Sequence, residues 1–140
     1  MDEMIEVYQD YLDMDDEKRN SIAMQAIDAI FAHLKELYDD ETVLKKIVEM
    51  FSVICCVDGV ISEEEYYMFS LITKANVSFE QFCEVMKYGQ YEDFINNFFE
   101  FANSKSDEVA GELFVLAICL FTCKGTVTVE EQAFIDEYFI

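Results

Sequence analysis

Two segments of this chain repeat one pattern at a fixed interval. Val57-Asp58-Gly59-Val60-Ile61-Ser62-Glu63-Glu64-Glu65 and Cys123-Lys124-Gly125-Thr126-Val127-Thr128-Val129-Glu130-Glu131 each leave an apolar run, cross a glycine and enter an acidic helix start. Asp58 and Lys124, Gly59 and Gly125, Ser62 and Thr128, and Glu65 and Glu131 are each separated by 66 positions. Glycine takes the left-handed conformation that ends a helix at little steric cost, and Ser or Thr followed three residues later by Glu forms a capping box. The repeat predicts a duplicated helical hairpin, with one copy over 41–75 and the other over 107–140. The first copy has an aspartate ahead of its glycine, where the second has a lysine.

Around these turns little interrupts a helix. The chain has no proline and four glycines in 140 residues, and apolar residues recur at i, i+3, i+4 spacing almost throughout. Met4, Tyr8, Tyr11 and Leu12 make a first stripe, and Ile22, Ala26, Ile30, Leu34 and Leu37 a second. Breaks fall at Asp15-Asp16 and Asp39-Asp40. A third helix, about 41–57, directs Leu44, Ile47, Val48, Phe51, Ile54 and Cys55 inward. Ser62 opens a fourth, Ser78 with Gln81 a fifth that stops near Gly89, and Tyr91 to Ala102 forms a sixth. A break at Ser104-Lys105-Ser106-Asp107 precedes a seventh helix to about Cys123, and Thr128 opens an eighth. The third and seventh helices are apolar on most of their circumference, which places them at the centre of a bundle. The expected fold is all-α: a single domain over 1–140, a bundle of about seven or eight helices. The two hairpins would pack with pseudo-twofold symmetry, with the helices of 1–40 wrapped around them.

A length of 140 residues suits one well-filled domain. Apolar residues make up 53% of the chain, including thirteen Phe and eight Tyr, so it has the means to fold despite its acidity. Thirty Asp and Glu against nine Lys and Arg give a net charge of −21. That field repels phosphate backbones and anionic headgroups, which disfavours nucleic acid and favours cations or basic protein segments as partners. The apolar stretch from Leu113 to Phe121 is far shorter than the roughly 20 residues of a membrane span, so no transmembrane segment is expected. The acidic start Met1-Asp2-Glu3-Met4 lacks the positive region of a secretory signal. The odd count of five cysteines, Cys55, Cys56, Cys83, Cys119 and Cys123, falls within apolar runs. Together these predict a reducing, cytoplasmic setting.

The acidic turn invites comparison with an EF-hand. With Gly59 as the sixth loop position, positions one and three fall on Ile54 and Cys56, which offer no side-chain oxygen, so an EF-hand is rejected. A looser site remains, because Asp58 leaves one helix as Glu63 and Glu64 enter the next. All-oxygen ligation selects calcium, magnesium or manganese. Equally, acidic residues in the first turn of a helix are favoured by capping and by the helix dipole with no metal present.

The segment from Phe51 to Glu65, with its Asp58-Gly59 turn, Ser62 and Glu65, resembles the signature of TerB-like domains, named for tellurite-resistance proteins. In that family the motif recurs in a second hairpin, as Gly125, Thr128 and Glu131 do here. The resemblance spans about Glu41 to the C-terminus. It implies an all-helical, non-enzymatic, stress-associated domain with two acidic clusters that bind a divalent cation. Carried over by position, Asp58, Glu64 and Glu65 match the first cluster, and Glu130 and Glu131 match part of the second. Lys124 stands where the family has an aspartate. If the hairpins face each other, its ammonium is expected near Asp58 or Glu131, as a fixed charge in place of a lost cation.

Other chemistry is thin. His33, the single histidine, lies at the edge of a stripe with no local partner and reads as a packing or surface residue. The cysteines match no CxxC zinc pattern and read as small core hydrophobes, with Cys123, beside Lys124, the one candidate for activation. Phe94, Phe98 and Phe101 share a face of the sixth helix with Phe99 partly elsewhere, a spread that suits core plus a homo-oligomer contact. Exposed Tyr67, Phe99 or Phe139 would favour a docking surface. Two function classes follow: a cation-binding, stress-associated TerB-like module, and a metal-free acidic adaptor for an unidentified protein partner. No base, nucleophile and oxyanion stabiliser assemble into an enzyme site.

Overall fold

Short polar side chains close the starts of five helices. Asp15 accepts from Lys18 N at 2.7 Å and Asp39 from Thr42 N at 2.8 Å, so the two acidic breaks are N-caps. Ser62 with Glu65 and Ser78 with Gln81 form reciprocal capping boxes, as their spacing predicts. Thr128 and Glu131 do the same at 2.9 and 3.2 Å. The computed structural model describes residues 2–104 and 107–139, without the side chains of 2, 99, 101–104 and 107. Phe99 and Phe101 therefore lie outside the described side chains.

The helices are α1 (Asp2–Asp13), α2 (Asp16–Lys35), α3 (Asp40–Cys55), α4 (Glu63–Thr73), α5 (Phe79–Met86), α6 (Glu92–Ser104), α7 (Asp107–Thr122) and α8 (Val129–Phe139). A short 3-10 turn, Lys87–Gln90, joins α5 to α6. The fold is all-helical, and among the described residues no strand occurs.

Two helices form its centre. Every residue from Leu116 to Thr122 is buried, as is every residue from Met50 to Cys55, so the C-terminal halves of α7 and α3 are enclosed on all sides. Their buried hydroxyls are satisfied within the helix: Thr122 Oγ1 donates to Ile118 O at 2.7 Å and Ser52 Oγ to Glu49 O at 2.7 Å. Around this pair, α1, α2, α6 and α8 touch α7, while α2, α5, α6 and the 3-10 turn touch α3. The N-terminal half of α3 is less enclosed, and Leu44, expected in the interior, is 56% exposed. Leu37, expected on the second stripe, lies beyond the end of α2 and is exposed.

Two tertiary closures have no local sequence signal. The buried Arg19 on α2 reaches back to the end of α1, where Nη2 donates to Tyr11 O at 2.6 Å and Met14 O at 2.8 Å. These carbonyls lie where the helical ladder of α1 runs out, Tyr11 O keeping only a long 3.3 Å turn bond from Met14 N, and a guanidinium from the next helix completes their bonding. At Gly89, a Cβ would sit 1.9 Å from the Ser52 carbonyl oxygen, so backbone meets backbone where the 3-10 turn crosses α3. Cys56 Sγ donates to Met86 O at 2.9 Å beside the same crossing.

Gly89→Ala is expected to destabilise the protein by about 3 kcal/mol, because the main chain of α3 must move aside. Exposed Gly111 in α7 has open space around it, and Gly111→Ala is expected to stabilise by about 0.5–1 kcal/mol. Urea unfolding of both variants checks the pair.

Candidate functional site

The buried C-terminal halves of α3 and α7 deliver the two repeat turns to one place. Gly59 and Gly125 adopt φ of 77° and 92°, and their amides close onto Cys56 O and Thr122 O at 3.0 Å each. Lys124 Nζ then lies 3.1 Å from Asp58 Oδ2, so the equivalent positions of the two turns form an ion pair. The same ammonium donates to Glu131 Oε2 within its own turn. The side chains of Lys124, Asp58 and Glu131 are 13%, 7% and 1% exposed, so these charges meet largely out of water. The expected proximity of Lys124 to Asp58 or Glu131 holds for both.

Both oxygens of the two paired carboxylates are engaged. Asp58 Oδ1 accepts from Val60 N at 3.0 Å, and Glu131 Oε1 accepts from Thr128 N. Glu65, the counterpart of Glu131, is fully buried: Oε1 accepts from Ser62 N at 2.8 Å and from Ser62 Oγ at 3.0 Å, while Oε2 has no nitrogen or oxygen donor and the carboxyl interacts with the buried Cys55 thiol. Burial pushes its pKa up to about 7, against the pull of the Ser62 hydrogen bonds and the Lys124 charge. Burial also raises Glu131, although the Lys124 hydrogen bond opposes it. For Lys124, burial alone favours the neutral amine, but its bonds to Glu131 and Asp58 prevail and hold its pKa above the usual lysine value.

Of the five acidic residues drawn from the sequence, Asp58 and Glu131 share one partner, and Glu65 stands close enough to Lys124 to feel its charge. Glu64 and Glu130 are exposed at the starts of α4 and α8. Among the described residues no group of three or more His, Cys, Asp or Glu is spaced to hold a metal ion.

Cys55 and Cys119 lie in the core, and Cys56, Cys83 and Cys123 are half-buried. Burial pushes Cys56 up to about 11 and Cys119 and Cys123 up to about 12, and it holds Cys55 well above the usual thiol value. At Cys123, the one candidate for activation, burial and the Glu65 charge outweigh the neighbouring ammonium, in keeping with its reading as a core residue. His33 lies at the surface, 3.7 Å from Glu108.

Two grooves flank this centre. One, of about 440 Å³, has a floor of Val53, Val57, Ile95 and Phe134 and is edged by Glu130 and Glu137. The other, of about 520 Å³, exposes Leu44, Val85 and Tyr88 beside Val48 and Phe94, with Lys45 between Glu41 and Glu49. Tyr67 is 64% exposed, whereas Phe139 packs against Phe114 and Phe134. Sequence reasoning named neither groove, since both arise where separate helices cross. Comparison with protein-family models, curated proteins and solved structures gave no match, so the likeness to TerB-like domains rests on the turn residues.

Glu65 makes stability depend on pH. A carboxyl whose pKa is higher folded than unfolded stabilises fully below about pH 4.5, and that contribution is lost as pH rises through 7. From pH 5 to pH 8 the wild type is expected to lose about 2.5 kcal/mol relative to Glu65→Gln. Parallel urea curves for the two proteins over that range would contradict this.

Proposed function

We propose that this chain is a non-enzymatic, TerB-like interaction module in which the Lys124 ammonium stands in for a divalent cation. The observation that carries this reading is the single ammonium bonded to both Asp58 and Glu131. A cation entering there would have to displace a buried charge of the same sign. Thiols held protonated by burial support a non-enzymatic role, and the exposed apolar groove at Leu44, Val85 and Tyr88 supports protein docking. Five free cysteines suit a reducing, cytoplasmic setting. The association with stress and toxic oxyanions enters through the resemblance of the Asp58–Glu65 turn to TerB-like domains.

A second reading, a calcium, magnesium or manganese site at the first turn, draws on Glu65 Oε2, which has no nitrogen or oxygen donor. Thermal melting of chelator-treated protein at matched ionic strength separates the two. Wild type and Asp58→Asn should respond alike to added cations, through screening alone. Lys124→Asp should gain a cation-specific stabilisation of about 2.7 kcal/mol at a hundredfold excess over its Kd. Lys124→Met, which strands two buried carboxylates, should lose about 4 kcal/mol without gaining a cation response. A cation-specific rise in the wild type that disappears in Asp58→Asn would instead establish the second reading.

A further inference from the structure

The groove between the end of α3, the 3-10 turn and α8 differs from the α3–α5 groove in how its apolar and charged residues are arranged. Half-buried Val57 and Ile95 line its floor together with the core residues Val53 and Phe134. The volume of about 440 Å³ lies in the range of ligand sites, roughly 300–1,000 Å³. Its edge is a single row on α8: Glu130, Ala133 and Glu137, all exposed. Positions 130 and 137 lie two helical turns apart, about 10.5 Å along the axis, and the small Ala133 leaves a saddle between the two carboxylates. Among the described residues no lysine or arginine lines the groove, whereas the α3–α5 groove mixes Lys45 with its acids.

We infer that this groove docks an amphipathic helix of a partner protein, its apolar face on Val53, Val57, Ile95 and Phe134 and two basic side chains one heptad apart on Glu130 and Glu137. The inference rests on the interaction-module reading above, places this partner in the α8 groove rather than in the one at Leu44, Val85 and Tyr88, and gives the chemistry of that partner. A helix carries apolar anchors at i, i+3, i+4 and a seven-residue repeat on the same face, which matches a floor edged by charges two turns apart. Charge selects the partner's sign. A chain of net charge −21 attracts basic segments and repels acidic ones and second copies of itself. Exposed ion pairs add little affinity, so the apolar floor carries binding while the glutamates set register and association rate.

The test uses fluorescein-labelled 18-residue helical peptides with one leucine face and two lysines placed 4, 7 or 11 residues apart, titrated with the intact protein in chelator at 150 mM salt. The seven-residue spacing should bind best, and a scrambled peptide of the same composition about tenfold more weakly. Ala133→Arg, and separately the double variant Glu130→Lys, Glu137→Lys, should each weaken binding about tenfold. Leu44→Asp, in the other groove, should leave it unchanged. All of these positions are exposed, and far-ultraviolet circular dichroism of each variant reports its folding.

Failure of the whole panel to bind, equal binding of the scrambled peptide, or insensitivity to both α8 variants would overturn the inference. Loss on Leu44→Asp with none on Ala133→Arg would overturn it while leaving the interaction module standing. Self-association blocked by Ala133→Arg would replace the partner helix with a second copy. Groove-dependent binding that requires added calcium would support the docking site and overturn the metal-free reading.

Discussion

One ammonium among buried carboxylates ties the two copies of the repeat together. Lys124 belongs to the second turn but pairs with Asp58, its own equivalent in the first, and with Glu131, the capping glutamate of its own helix. Charges leave water at a cost of several kcal/mol each, which is offset only when hydrogen bonds satisfy them. Here the second oxygen of Asp58 and of Glu131 is held by a backbone amide of its own turn. The caps that start α4 and α8 and the ion pair that joins the turns are thus parts of one network. Its asymmetry lies at Glu65, which has the same cap but no bonded ammonium, and burial raises its pKa against the weaker pull of the Ser62 hydrogen bonds and the Lys124 charge.

The network lies where it does because α3 and α7 are enclosed over their C-terminal halves. Helices buried all round have no freedom to rotate without exposing apolar surface, so the turns that follow them are held in place. Main-chain contact extends the same constraint outward. Gly89 lets the 3-10 turn lie directly on Ser52, and Gly89 and Gln90 of that turn line the acidic-edged groove beside Val53 and Cys56. Arg19 holds the end of α1 against the start of α2, and α1 in turn lies on α7.

Much of the helical framework was legible in the chain. The glycines, the Ser and Thr caps and the acidic breaks gave the starts and stops, because each acts through hydrogen bonds spanning two to four residues. Burial faces were legible where a stripe met a fully enclosed neighbour, as at Ile47, Phe51 and Ile54. They failed at Leu44 and Leu37, where periodicity continued but the neighbouring helix did not cover them. The proximity of Lys124 to Asp58 was legible through the repeat itself, since they are equivalent positions of two turns that the ends of α3 and α7 bring together. The surroundings of Glu65 Oε2 were not, because they depend on which atoms of other helices reach it.

Arg19 and Gly89 mark the same boundary. In sequence one is a polar residue near a helix start and the other a helix stop; in the fold one caps a different helix and the other admits a backbone at contact distance. The amino-acid sequence alone determined the helices, their caps, the repeat and the surplus of negative charge, all set by local spacing and composition. Tertiary structure decided which charges are buried together, which carboxyl stays unpaired and where apolar floor meets acidic edge. Those outcomes depend on how helices far apart in the chain cross, and no local pattern carries that information.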